Sequence, residues 1–360
     1  MREKIWSVIT GSGSYVPSVI VNNSDFLDHQ FYDANGQRFD KSMVETVEKF
    51  RQITDIENRR YVTDNLVASD IGYFAAKDAL TSSGIDKESL DYIIFAHNFG
   101  DIKSDNRRSD LVPSLASRVK HKLGIENPYT VAYDLPFGCP GWLQGMIHAN
   151  YFIKAGDVKR VLIIGAETLS RICDPHDRDS MIYSDGAGAV ILESKTDDNE
   201  GGVLSHKTRT DSLNHAFMLK MGKSYNPDYK GDDLFLKMEG RKLYEYALKT
   251  VPQLIKDTID KAGLDIHDID KVLIHQANAK MDDGMLKRLF GLYGEKEIPS
   301  DIMPMTINFL GNNSVATLPI LFDLLKKGKM GIQQCGRGDY IIFASVGAGM
   351  NVNAMVYRIR

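Results

Sequence analysis

The chain has 360 residues, of which 43% are hydrophobic and 26% charged, values typical of a globular protein long enough for two domain-sized units. Its net charge of −4 argues against broad nucleic-acid binding, which needs a basic surface. No apolar run reaches about 18 residues and the N-terminal apolar run is short, so we expect neither a membrane helix nor a signal peptide. Three scattered cysteines predict neither a disulfide framework nor a zinc site. We therefore predict a cytoplasmic location.

Short apolar runs alternate with helical patterns along the chain. The strands are predicted, in chain order, at residues 6–10, 92–96, 129–133, 161–165, 189–192, 272–274, 340–344 and 352–357. The helices are predicted at residues 68–82, 111–123, 141–154, 240–261, 280–292 and 314–327. Such alternation indicates an α/β protein with helices covering its sheets.

Two segments of the chain resemble each other at an offset of 179 residues. Residues 83–96 read SGIDKESLDYIIFA and residues 262–275 read AGLDIHDIDKVLIH, so that glycines, aspartates and the apolar strand coincide. The match predicts duplicated α/β halves, residues 1–195 and 196–360, that meet in the polar stretch 194–202. Ala96 occupies the position of His275, which marks that histidine as a specialised residue of the second half.

The segment around Cys139 reads as a strand, a tight turn and then a helix, with Pro140 in the first helical turn. A thiol at a helix N-terminus faces unpaired backbone N–H groups and the positive end of the helix dipole. We therefore expect a lowered pKa and a nucleophilic Cys139. A small buried core cysteine is the alternative that this segment alone leaves open.

His275 and Asn312 stand at the ends of predicted elements. His275 follows a strand and opens the sequence His-Gln-Ala-Asn, a position where open α/β sheets place ligand sites. Asn312 lies in the turn Asn-Phe-Leu-Gly-Asn-Asn-Ser that precedes a helix. Taken singly, the histidine is equally well a satisfied core residue, and the asparagine equally well belongs to simple turn and capping chemistry.

The order Cys139, His275, Asn312 is the first part of a wider resemblance, which covers nearly the whole chain. The matching motifs share their order and spacing: ITGSGSYVP at residues 9–17, CDPHDR at 173–178, SDGAGAV at 184–190, HQAN at 275–278, GNNSVAT at 311–317 and SVGAG at 345–349. In these motifs the chain resembles the thiolase superfamily, specifically beta-ketoacyl-acyl-carrier-protein synthase III.

The resemblance implies a thiolase-like fold of duplicated α/β halves in a layered αβαβα arrangement, and a decarboxylative Claisen condensation. Cys139 would carry the acyl group, while His275 and Asn312 would stabilise the enolate of a malonyl-type thioester. The backbone N–H groups of Cys139 and Ala348 would form the oxyanion hole, and Asn278 would support the site. No metal or redox cofactor is implied, because acyl-coenzyme A and acyl-carrier-protein thioesters are the substrates.

The resemblance also implies partners. Arg178 matches an arginine that contacts the nucleotide part of coenzyme A. Lys280, Lys287 and Arg288 share one face of the helix after His275 and match basic positions that dock the acidic acyl carrier protein, although a solvated helix face explains them equally well. A homodimer is expected, with no nucleic-acid or membrane partner.

Several segments depart from the family pattern. The Trp and Arg that clasp coenzyme A near the N-terminus are not evident, residues 31–49 resemble an insertion, and the loop 98–111 is longer than usual. Val112 stands where a bulky phenylalanine is frequent, and Trp142 follows the cysteine where phenylalanine is typical, so both are predicted to shape the acyl pocket. We expect a divergent member, of specialised lipid synthesis or secondary metabolism.

Rival interpretations share parts of this pattern. A papain-like peptidase also orders Cys, His and Asn, but it usually carries disulfides and a secretory signal. A non-decarboxylating thiolase needs a second catalytic cysteine near the C-terminus, and Cys335 lies ahead of the last strands. A non-catalytic partner subunit is disfavoured because all three predicted catalytic residues are present.

Overall fold

The computed structural model describes residues 4–197 and 199–360. The strands are β1 (Ile5–Tyr15), β2 (Val19–Asn22), β3 (Asn58–Tyr61), β4 (Tyr92–Ala96), β5 (Asp101–Lys103), β6 (Asn106–Asp110), β7 (Val131–Leu135), β8 (Arg160–Thr168), β9 (Asp185–Thr196), β10 (Gly202–Thr210), β11 (Leu219–Gly222), β12 (Phe235–Met238), β13 (Lys271–Ile274), β14 (Tyr340–Gly347) and β15 (Asn351–Arg358). The helices are α1 (Met43–Thr54), α2 (Ala68–Ser83), α3 (Leu115–Leu123), α4 (Gly141–Ala155), α5 (Ser212–His215), α6 (Gly240–Ala262), α7 (Ala279–Gly291), α8 (Ile307–Leu310) and α9 (Thr317–Lys326).

Two mixed sheets form the frame of the molecule. The first has the strand order β1-β9-β8-β4-β7, and the second has the order β10-β15-β14-β13. The two sheets share a pairing pattern. In the first sheet β9 pairs antiparallel with both β1 and β8, and in the second sheet β15 pairs antiparallel with both β10 and β14. β7 forms the edge of the first sheet, and it has no counterpart in the described part of the second.

Helices lie on both faces of each sheet. α2 and α3 cover the outer face of the first sheet, and α6 and α7 cover the outer face of the second. Between the sheets, α4 and α9 share one core with strands of both, including Ile163 and Phe343. The order of layers is therefore helix, sheet, helix, sheet, helix, which confirms the predicted layered α/β fold.

The internal repeat identified in the sequence occupies equivalent places in the two halves. Gly84 and Gly263 end α2 and α6 in the left-handed conformation that favours glycine. Asp86 and Asp265 then each accept a hydrogen bond from a backbone N–H two residues later and begin a 3-10 turn. The repeated residues thus encode the same helix end and strand start twice.

The predicted elements agree with the observed ones except at some boundaries. The helix predicted from residue 111 begins at Leu115, with Ser114 as its N-cap, and residues 111–113 connect it to the hairpin β5–β6, which ends at Asp110. The predicted connector at 194–202 includes residue 198, which lies outside the described residues. Among the residues described, no helix combines the length and apolar character needed to cross a membrane.

Candidate active site

Cys139 lies in the turn between β7 and α4, as the sequence predicts. Gly138 has a φ of +66°, and a Cβ atom there would stand 2.8 Å from the backbone N of Ala348. A Cβ atom on Gly347 would stand 2.5 Å from the backbone N of Cys139. The two glycines therefore let the turn after β14 press against the cysteine turn.

His275 stands at the C-terminal end of β13, and its backbone N–H donates to Ala344 O at 2.8 Å. The side chain is 2% exposed, and Nδ1 is buried without a hydrogen-bond partner among the residues described. Burial lowers the pKa of His275 to about 4. The imidazole is therefore neutral at physiological pH and carries a single N–H.

Asn312 lies in the turn between α8 and α9, and its backbone is pinned on both sides. Its N–H donates to Ile182 O and its carbonyl accepts from Ser184 N, each at 2.9 Å. The side-chain Oδ1 accepts from Ser314 N at 2.8 Å. That bond fixes the plane of the amide and leaves Nδ2, which bonds to no other described residue, as its free donor.

One cavity of about 230 Å³ brings the three predicted residues together. Cys139, His275 and Asn312 all line it, with Gly138 and Ala348 beside them. The other walls are largely apolar and include Phe99, Leu169, Tyr183, Leu219, Met221, Leu236, Met238, Leu243, Met281 and Val346. A space of this composition suits an apolar ligand next to the thiol.

A second, outer cavity of about 810 Å³ shares Asn312 and Met281 with the first. Arg178 lines it, 47% exposed and with its guanidinium 5.7 Å from the Phe39 ring. The segment predicted as an insertion forms one wall. Further cationic side chains on this wall and opposite are Arg38, Lys41, Lys49 and Arg241.

The surroundings of Cys139 oppose ionisation, contrary to the expectation of a lowered pKa. Burial raises the pKa of this thiol to about 11, the hydrogen bond from Ser314 lowers it, and the negative charge of Glu167 adds to the rise. The sequence revealed the helix N-terminus but not the distant residues that pack around the partly buried thiol. Among residues 4–197 and 199–360, no group of three or more His, Cys, Asp or Glu side chains is placed to hold a metal ion.

Three residues that the sequence reasoning missed stand directly behind the thiol. Ser314 Oγ donates to Cys139 Sγ at 3.4 Å, and Asn98 Nδ2 donates to Ser314 Oγ at 3.4 Å. Asn98 also donates to Glu167 Oε2 from Nδ2 at 2.9 Å and from its backbone N at 3.1 Å. The sequence interpretation placed Asn98 only in the loop 98–111 and Ser314 only at the start of a predicted helix, and it gave Glu167 no role.

Neither of the two residues predicted to shape the acyl pocket lines the inner cavity of its own chain. Trp142 is 1% exposed and packs edge-on against Phe343 in the core between the sheets, with ring centroids 5.8 Å apart. Its prediction was wrong because the residue three positions after the cysteine lies on the sheet-facing side of α4. Val112 is 87% exposed and is not among the residues that line the cavity of its own chain, so its role in an acyl pocket stays a prediction.

The helix after His275 has a polar N-terminus and a basic outer face. Asn278 caps α7, its Oδ1 accepting from Met281 N at 3.1 Å, and it lines the outer cavity rather than the inner one. Lys280, Lys287 and Arg288 are all exposed on α7. Lys287 is paired with the neighbouring Asp283 at 2.6 Å, which offsets part of the positive charge.

Comparison with known proteins identifies the family. The model of 3-oxoacyl-[acyl-carrier-protein (ACP)] synthase III matches residues 133–212 and that of its C-terminal part matches residues 259–359, together half of the chain. The chain is also 31% identical over 357 residues to beta-ketoacyl-[acyl-carrier-protein] synthase III 1 of Vibrio vulnificus, covering 98% of this chain and all of the relative. The chain belongs to the 3-oxoacyl-[acyl-carrier-protein] synthase III family.

Further relatives of this synthase III agree in sequence and in fold. The protein of Ruegeria pomeroyi with the same family name is 30% identical over 98% of each chain. The crystal structure of the synthase III of Thermus thermophilus superposes with a TM-score of 0.81 at 28% identity, covering 98% of this chain and 99% of that one. The chain is therefore an acyltransferase of the thiolase fold that forms a carbon–carbon bond by decarboxylative Claisen condensation. The peptidase, degradative thiolase and partner-subunit alternatives are not favoured.

Proposed function

We propose that this synthase III loads an acyl primer onto Cys139 and condenses it with a malonyl-type thioester, with His275 and Asn312 stabilising the enolate. The observation that carries the proposal is that these three side chains line one largely apolar cavity next to the Ala348 turn. Each comes from a different segment of the chain, and the fold brings them to a single space.

In the loading step the Cys139 sulfur forms a bond to the thioester carbonyl carbon and the carrier thiol leaves. The thiol proton of the cysteine ends on the leaving thiol, so the step is neutral overall. The close approach of the Gly347–Ala348 turn supports an oxyanion hole made by the backbone N–H groups of Cys139 and Ala348. No metal is needed for this charge to be stabilised.

In the condensation step the malonyl thioester loses carbon dioxide, and the electron pair of the broken bond passes into an enolate. A neutral His275 serves as a hydrogen-bond donor to the enolate oxygen, since its low pKa excludes the imidazolium. Asn312 offers Nδ2 to the same oxygen because Oδ1 is held by Ser314. The enolate carbon then attacks the acyl-cysteine carbonyl, and the Cys139 sulfur leaves.

The outer cavity supports a role for Arg178 in binding the phosphate-bearing arm of coenzyme A or of an acyl carrier protein. The arginine is half-exposed there and shares the space with other cationic side chains, although aspartates also line this cavity and Arg178 is paired with Asp179 at 3.3 Å. Lys280, Lys287 and Arg288 are proposed to dock the acidic carrier, and Asn278 is proposed to support the site by fixing the start of their helix. Cytoplasmic location remains a prediction.

A homodimer is proposed on the basis of the open edge of the first sheet. An edge strand exposes unpaired backbone groups, which proteins usually cover. Along this edge Tyr129 is 85% exposed and Val131 45% exposed, and the neighbouring Val112 is 87% exposed. Pairing of two β7 strands would cover these side chains and would bring Val112 towards the partner. Introducing a negative charge at this edge with Val131→Glu should yield a monomer in analytical ultracentrifugation.

The loading step is tested with a panel of acyl-coenzyme A and acyl-carrier-protein thioesters and intact-mass measurement. We expect a gain of one acyl group that is lost in Cys139→Ala and retained in the matched control Cys335→Ala. No acyl mass from any donor would refute the proposal.

For the second step, His275→Ala and Asn312→Ala should still load the primer but release no carbon dioxide from malonyl-carrier protein. Condensation of two acetyl units without carbon dioxide would instead indicate a non-decarboxylating enzyme.

A further inference from the structure

We infer that Ser314 is a further catalytic residue of this synthase III, which donates a hydrogen bond to the Cys139 sulfur, and that Asn98 and Glu167 are the positioning residues that aim it. This inference rests on the proposed role of Cys139 as the nucleophile. The observation behind it is the unbroken chain of contacts from the Glu167 carboxylate through Asn98 and Ser314 to Cys139 Sγ.

The direction of the Ser314 hydroxyl follows from its partners. Asn98 Nδ2 donates to Ser314 Oγ and so occupies a lone pair, which leaves the hydroxyl hydrogen to point at the sulfur. Asn98 is held in turn by two donations to one oxygen of Glu167. Both Ser314 and Glu167 are buried, so that water does not compete for these bonds.

The backbone of Ser314 is held in an unusual conformation. Its φ is +50°, in the left-handed region that residues other than glycine rarely adopt. The bond from Ser314 N to Asn312 Oδ1 fixes this conformation. A serine at a position that favours glycine points to a function for its hydroxyl, because strained residues cluster at active sites.

The groups that face the thiol act in opposite directions. Ser314 stabilises the thiolate by its hydrogen bond, whereas the Glu167 carboxylate disfavours it by charge. The pKa of Glu167 is raised to about 7 because burial outweighs the nearby His97 and the donations from Asn98, which lower it. His97 itself lies 3.0 Å from Asp134. His275 lines the cavity as a neutral ring, and Tyr183 is neutral because burial raises its pKa well above the ordinary value.

The test is the rate of Cys139 alkylation by iodoacetamide between pH 6 and 10.5, assigned by peptide mass so that other cysteines do not contribute. Ser314→Ala and Ser314→Gly both remove the hydroxyl, and glycine also relieves the positive φ. We expect both to move the profile to higher pH and to slow alkylation at pH 8 by about 10- to 100-fold, the range for a hydrogen bond to a charged group. The control Ser7→Ala removes a buried hydroxyl elsewhere that has no hydrogen-bond partner among the described residues, and it should leave the profile unchanged.

Glu167→Gln keeps an acceptor for Asn98 but removes the negative charge. We expect it to move the profile to lower pH, opposite to the Ser314 variants, with alkylation at pH 8 faster by about threefold or more. A loss of packing alone would not produce opposite shifts. An unchanged profile in both Ser314 variants, or a Glu167→Gln shift in the same direction as theirs, would overturn the inference. If the wild-type protein takes no acyl group from any thioester, the proposed function fails while the alkylation profile still tests the Ser314 contact.

Discussion

Replacing Gly347 with alanine should displace the turn that carries Ala348 from the cysteine turn. The added Cβ would meet Cys139 N at 2.5 Å and the Pro140 ring at 2.8 Å. Both contacts involve rigid backbone or ring atoms, so the strain is not relieved by rotating a side chain. To reach ordinary contact at about 3.4 Å, the turn must retreat by roughly 0.9 Å.

A shift of that size removes a hydrogen bond. A donor at about 2.9 Å from the oxyanion would move to about 3.8 Å, beyond hydrogen-bond distance. Loss of one oxyanion-hole donor costs about 10²–10³ in kcat, or about 2.7–4 kcal/mol of transition-state stabilisation. We therefore expect Gly347→Ala to condense acyl and malonyl thioesters at least about 100-fold more slowly than wild type.

The assay is single-turnover acylation of Cys139 followed by steady-state condensation, with near-UV circular dichroism to confirm folding. Gly291→Ala is the matched control, since a Cβ atom there meets nothing within 4 Å at the end of α7. A folded Gly347→Ala enzyme with a kcat within about threefold of wild type would refute the assignment of this turn to the oxyanion hole.

Three further predictions concern stability and specificity. Lys237→Met removes the ammonium group that lies 2.6 Å from the buried Asp174 carboxylate. The free energy of unfolding measured by urea denaturation should fall by about 3–5 kcal/mol, and a fall below about 1 kcal/mol would contradict this. Since the pKa of His275 falls to about 4 from an ordinary value near 6.5, the unfolded chain takes up this proton first, and stability is lost as the pH falls through that window. His275→Asn should remove on the order of 3 kcal/mol of the stability difference between pH 7 and pH 4, and an unchanged difference would argue against a buried neutral ring. Trp142→Phe should lower stability but leave the ranking of primers loaded on Cys139 unchanged, as measured by intact mass; an altered ranking would return Trp142 to the acyl pocket.

The sequence could predict the features that depend on residues close together in the chain. Cys139 follows a strand and precedes Pro140 and a helix, and His275 ends an apolar strand, so both positions can be read within a few residues. The duplication was visible because the same helix stop, turn aspartate and strand recur at Gly84 and Gly263. Local patterns of this kind predicted the layered fold and the positions of the predicted catalytic residues within it.

The features that sequence could not predict depend on contacts between distant segments. Ser314 meets Cys139 across 175 residues and Asn98 across 216, and no local pattern encodes either contact. The rise in the pKa of Cys139 has the same origin, because the groups that pack around this thiol come from other parts of the chain. For Trp142, helical spacing alone did not reveal that its side of α4 faces the core between the sheets.

The position of the thiol between the two sheets has a consequence for how activity is acquired during folding. Cys139 is presented by the first half of the chain, whereas His275, Ser314 and the Ala348 turn arrive from the second. Contacts between residues so far apart in sequence are slow to form, because the intervening chain must be closed into a loop first. Helical circular dichroism should therefore recover before acylation of Cys139 when the unfolded protein is diluted from urea. The time at which Cys139 regains its reactivity would therefore report when the two sheets have docked.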